Sequence, residues 1–130
     1  MLIPLLLLSA SLVAQSPTPA QSAGPSADAL AQAYYLFLQG RAQEDAGDVP
    51  GALATYRKVL ELTPKAAEVH AELAGLYARQ GKAAESVAEA DAALALDGAN
   101  HEAHRILGFV QSALAGRAAT PAEEQSLKTQ

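Results

Sequence analysis

The chain has 130 residues, no cysteine and a formal net charge of −5 from 14 acids and 9 bases, which fits one modest domain and excludes a disulfide framework, a cysteine-ligated zinc site and a lipidated cysteine. Half of the residues are hydrophobic, but about a quarter of the chain is alanine, a strong helix former of small volume. β-Branched apolar residues are few, which argues against a sheet, and no block of Lys or Arg offers the basic face that nucleic-acid binding needs.

In chain order, MLIPLLLLSASLVA (residues 1–14) comes first and is almost wholly apolar. Its run of about 13 residues suits the apolar region of an export signal and is short of the roughly 20 needed to span a bilayer. It is read as a signal peptide cleaved after Ala14 or Ser11, although no Lys or Arg precedes it. An uncleaved N-terminal anchor is the alternative. Residues 15–26 hold three Pro, three Ser and one Gly, the composition of a flexible linker. Membrane contact is expected only through this export signal, and the expected compartment is a bacterial periplasm or cell envelope.

From Ser26 the pattern is helix after helix. The first is predicted from Ala27 to Ala46, with Ser26 as N-cap and Gly47 as stop. The second runs from Val49 to Leu62, with Asp48 as cap and Pro50 in the first turn, where a missing N–H does little harm. Thr63 is expected to cap a third helix that has Pro64 at its first position and ends at Gly81. A fourth runs from Lys82 to Leu96 and stops at Asp97–Gly98, and a fifth runs from after Asn100 to Leu114. A turn at Ala115–Gly116 and a short sixth helix from Thr120–Pro121 follow, the latter marked by a capping-box pattern of Thr120 and Glu123.

The helices repeat. GDVPGALATYRKVLELTP, residues 47–64, is echoed by GKAAESVAEADAALALDG, residues 81–98, with Gly47 on Gly81, Ala54 on Ala88, Leu60 on Leu94 and Leu62 on Leu96, an offset of 34 each time. Counted from Ala33, Ala67 and His101, the eighth position is small in each copy (Gly40, Ala74, Gly108) and the twentieth is Ala52 and Ser86. The twenty-fourth is Tyr56 but then Ala90, and the thirty-second is Pro64 but then Gly98. At the seventh Leu73 and Leu107 match and Gln39 does not; at the eleventh Tyr77 matches and Gln43 and Gln111 do not.

This pattern resembles the tetratricopeptide repeat. The resemblance implies an all-α fold of tandem 34-residue helix-turn-helix units in a short right-handed α-solenoid behind the signal segment. Its domain would span residues 27–130, with repeats at about 33–66 and 67–100 and a partial one at 101–130. It also implies that Gly40, Ala74 and Gly108 allow a facing helix to approach closely. The polar tail RAATPAEEQSLKTQ has one large apolar residue, Leu127, too little for a second helix of usual quality. The expectation is therefore that Thr120 to Gln130 form a short cap, that the chain dimerises, or that the sequence is the start of a longer protein.

Little in the chain points to chemistry. His101 and His104 lie one turn apart and His70 shares a repeat position with His104, but such histidines serve as packing residues more often than as metal ligands. Acid pairs such as Glu44–Asp45 and Glu123–Glu124 read as solvated helix faces. No enzyme activity, cofactor or metal is expected. In the family, the first helices of successive repeats line a concave face, and the matching residues include Tyr34, Phe37, Arg41, Arg79, Arg105 and Phe109. Aromatics and Arg anchor interfaces, so these six are the expected contacts for a protein or peptide partner. Ala71, Gly75 and Ala78 fall on the same face. The Lys and Asn clamp by which some family members hold chaperone C-termini is absent, since Phe37 and Arg41 stand at matching positions and Asn100 is the sole Asn. Self-association as a homodimer through the open third unit is the alternative.

Overall fold

The structure, a computed structural model, describes residues 24–128, with side chains as far as Arg117. The predicted signal peptide, most of the linker and the Thr120–Glu123 capping box lie outside the described residues and side chains.

Five helices make up this region: α1 (Ala27–Asp45), α2 (Val49–Leu62), α3 (Ala67–Arg79), α4 (Ala83–Leu96) and α5 (His101–Lys128). α1 packs on α2 and α3 on α4 as hairpins; α5 lies against α4 and α3, and α2 touches α3. The caps are local chemistry. Ser26 Oγ accepts from the Ala29 N–H at 3.2 Å, Asp48 Oδ1 from Gly51 at 3.0 Å and Asn100 Oδ1 from Ala103 at 2.9 Å, each satisfying an otherwise orphaned first-turn donor. The two hairpin turns pass through the left-handed region at Gly47 (φ +79°) and Gly81 (φ +71°), where a side chain would be strained.

Two expected boundaries move. Thr63 closes α2 instead of opening α3: its Oγ1 donates to the Val59 carbonyl at 2.9 Å, and Pro64 lies in the turn before Ala67. α3 starts without a side-chain cap. The second correction is larger. No turn forms at Ala115–Gly116 and no separate sixth helix follows, because α5 continues through both to Lys128 as 28 residues, about 42 Å long. The Ala-rich segment favours helix continuation. A following amphipathic helix with an apolar stripe would have rewarded a turn, and the polar tail lacks one. The continuation forgoes one backbone hydrogen bond at Pro121.

The core has two unequal parts. The first, between α1, α2 and α3, contains bulky side chains: Leu53, Tyr56, Val59, Val69, Leu73, Leu76 and Tyr77. The second, between α3, α4 and α5, is mostly alanine, namely Ala71, Ala74, Ala90, Ala93 and Ala103, with Ile106 and Val110. In the first, α1 approaches so closely that a Cβ on Gly40 would lie 2.5 Å from the Tyr56 ring. In the second, Ser86, fully buried, donates to the Ala74 carbonyl at 2.8 Å. Gly108 holds the same repeat position, yet a Cβ there would meet nothing within 4 Å. The close approach expected at Gly108 is not used, since α5 has no following helix against that face among the described residues.

Candidate functional site

α1, α3 and α5 share one face of the stack, and a cleft of about 730 Å³ lies between the N-terminal half of α1 and the α2–α3 turn. Leu30, Tyr34 and Phe37 supply one wall, Val59 and Val69 the floor, and Lys65 and Glu68 the polar rim. Leu30, Tyr34 and Phe37 fall at successive turns of α1, so their side chains share one stripe. Tyr34 is 66% exposed and Leu30 49% exposed. Phe37 is half-buried, its ring tilted 38° against Tyr56 at a centroid separation of 5.9 Å. Phe37 therefore serves both the cleft wall and the core.

One turn further along each helix the face becomes ionic. Arg41 on α1 pairs with Glu72 on α3, and Arg79 on α3 pairs back with Glu44 on α1. Glu44 also accepts from the Tyr56 hydroxyl at 3.1 Å, tying the ladder to the core. Arg105 on α5 pairs with Glu102, its Nε donating to Oε2 at 2.8 Å. Tyr34 and Phe37 thus meet in the cleft, and Arg41 and Arg79 meet in the ladder. Arg105 bonds within its own helix. Phe109, 58% exposed, lies on a separate hollow of about 180 Å³ beside Leu114 and the α3–α4 turn. Ala71 and Gly75 are buried, and the Ile106 side chain lies over Gly75. They admit α5 rather than face a ligand.

The carboxylates differ in their cost. Burial holds the Glu72 carboxyl above its ordinary value of 4.5, Arg41 offsetting this in part while Glu44 and Glu102 add to it. The Glu102 carboxyl is lowered from 4.5, chiefly by its hydrogen bond to Arg105. Glu72 binds its proton more tightly folded than unfolded, so its contribution is most favourable at low pH and is lost as pH rises through its folded value. Glu102 has the opposite sign. Its contribution is present above 4.5 and fades as pH falls through the lowered value. Glu72→Gln should therefore raise the melting temperature at pH 7 and leave it unchanged near about pH 4, while Glu102→Gln should lower it slightly at pH 7. Thermal melts across that range check both signs.

The remaining titratable candidates have structural partners. His70 Nδ1 lies 2.7 Å from Glu89 Oε2, joining α3 to α4, and His104 Nε2 lies 3.0 Å from the Gly98 carbonyl. Among the described residues, no three His, Asp or Glu side chains gather as a metal-holding group, and no helix is long and apolar enough to cross a membrane.

Sequence reasoning missed Leu30 and Glu72. Leu30 lies one turn before Tyr34 but three residues ahead of the repeat frame at Ala33, so a frame-based reading passed over it. Glu72 occupies the sixth repeat position, outside the positions assigned to the groove.

Residues 40–81 match the family profile described as TPR repeat, the tetratricopeptide repeat. That segment carries a tetratricopeptide repeat. Over 83 residues, 64% of the chain, it is 34% identical to BBSome complex member bbs-4 of Caenorhabditis elegans, and it spans 18% of that relative's length. A solved structure, the first TPR of Spaghetti (RPAP3) bound to HSP90 peptide SRMEEVD, superposes with a TM-score of 0.62 at 24% identity, covering 65% of this chain and 67% of the other. The tetratricopeptide frame also accounts for the sequence misfits on α1. Position three is the buried Val69 in the second repeat and the exposed Tyr35 in the first, and position seven is the buried Leu73 and the exposed Gln39. Among the described residues no helix covers these two positions of α1, whereas on α3 they enter the first core.

Proposed function

We propose that the protein is a non-catalytic scaffold that holds an extended segment of a partner protein along the α1–α3–α5 face, anchored in the cleft at Tyr34. The observation that carries this reading is the cleft itself: an apolar wall at Leu30, Tyr34 and Phe37 opens directly onto an ionic ladder. Such a combination suits a buried anchor with a polar rim. The fold is shared with a tetratricopeptide domain that was solved with a peptide bound, which supports a peptide-binding role here. Export to a cell envelope belongs to the proposal as well, and rests on the apolar run of residues 1–14.

Affinity capture from the native envelope fraction tests it, with the full chain as bait and Tyr34→Ala as control. A partner retained by the wild type and lost at least about tenfold with Tyr34→Ala is the expected result. A partner held equally by both would move the site off this face.

A second reading has its own support. The third repeat presents Gly108 to open space and exposes Phe109 and Leu114, 58% and 47%. A second copy pairing through this surface would bury them. Size-exclusion chromatography with light scattering decides, since a mass independent of concentration and equal to one chain ends that reading.

A further inference from the structure

We propose that the cleft and the adjoining ladder select a cationic partner segment: an apolar side chain seated against Leu30, Tyr34 and Phe37, followed within a few residues by a lysine or arginine. This rests on the groove reading above and specifies its ligand.

The spacing is set by the helices. Arg41 lies one turn beyond Phe37 on α1, and Glu72 one turn beyond Glu68 on α3, each step about 6 Å. An extended chain advances about 3.3 Å per residue, so a residue about two positions past the anchor reaches the ladder. There it meets arginines that are already engaged by Glu72, Glu44 and Glu102. An acidic ligand would have to displace one of these carboxylates. The Glu72 and Glu44 side chains are only 23% and 19% exposed, so displacement leaves a largely buried charge without its partner, which is costly.

A basic ligand has no such obstacle. Arg41, Arg79 and Arg105 are already paired with Glu72, Glu44 and Glu102, so a ligand cation need displace no carboxylate from its partner. On the cleft rim Lys65 stands with Glu68. Glu72 gives Oε1 to Arg41, and its Oε2 has no hydrogen-bond partner among the described residues. Burial raises the Glu72 carboxyl, and the charges of Glu44 and Glu102 add to the rise. An added cation would relieve it.

The test is selection of random phage-displayed dodecapeptides on the full chain, with a parallel selection on Tyr34→Ala. Because Tyr34 is 66% exposed, that variant keeps the fold, which circular dichroism melts verify. Peptides enriched on the wild type alone should carry an aliphatic or aromatic residue with Lys or Arg one to three positions on. A synthetic representative should bind at least about tenfold tighter than its Lys/Arg→Glu counterpart, the advantage shrinking with added salt. Glu72→Gln should cut that ratio by about threefold or more. A Tyr34-dependent pool that is acidic or indifferent to charge overturns this inference and leaves the groove reading standing. No Tyr34-dependent enrichment overturns both.

Discussion

Gly40→Ala should lower the melting temperature by roughly 10 °C, while Gly108→Ala at the equivalent position of the third repeat should raise it by a few degrees. Both glycines are inside helices, where alanine is intrinsically better by about 0.5–1 kcal/mol. At Gly108 nothing opposes that gain, because a Cβ meets open space. At Gly40 the new methyl carbon falls 2.5 and 2.7 Å from two ring carbons of Tyr56. That ring is fully buried, and its hydroxyl is held by Glu44, so it cannot swing aside. Overpacking of this kind costs about 1–3 kcal/mol or more, and each kcal/mol moves the midpoint of a domain this size by about 4–8 °C. Calorimetry on the two variants separates a position that matters for packing from one that merely matches a pattern.

Tyr56→Ala should be the most damaging single change in the described core, at about 3–5 kcal/mol, and should reverse the sign of Gly40→Ala. Tyr56 fills the space that Gly40 vacates, and it donates to Glu44. With the ring gone, a methyl group at position 40 occupies part of the cavity, and the helix gains its propensity term. Gly40→Ala should then stabilise in the Tyr56→Ala background. The second repeat already shows the outcome, with Ala74 and Ala90 at the same two positions and both fully buried. Urea titrations on the two single variants and the double variant give the coupling energy directly. Additive values would mean that glycine and tyrosine are not chosen together.

Much of the fold was legible because the turns carry explicit chemistry. Gly47 and Gly81 adopt the backbone that glycine permits, and Ser26 and Asp48 cap the helices they precede. Local signals failed where a residue could serve either of two helices. Thr63 reads as the cap of α3, but its hydroxyl reaches back to Val59, a choice that depends on where the α2–α3 turn places it. The end of α5 escapes local signals for a related reason. Ala115–Gly116 resembles a turn, and Pro121 resembles a helix start, yet a turn forms only when something beyond it can pack. At the candidate site, residue type and repeat position single out Tyr34, Phe37, Arg41 and Arg79, of which the structure brings the first two to the cleft and the last two to the ladder. What residue type could not reveal was pairing. Arg41 and Arg79 find Glu72 and Glu44 on the neighbouring helix, and those contacts depend on how α1 and α3 are set side by side. Arg105 bonds along its own helix, and Phe109 belongs to a different hollow.

The unequal cores have a kinetic side. In a linear stack each unit is held by its neighbours alone, so opening starts at whichever end is bound least strongly. The bulky contacts of Tyr56, Leu73 and Leu76 fasten α1, α2 and α3, whereas α5 rests mainly on alanines with Ile106 and Val110. Amide protons of α5 should therefore exchange with solvent well before those of α2 and α3. A segment lying along this face would meet its firmest support at α2 and α3 and its most yielding at α5.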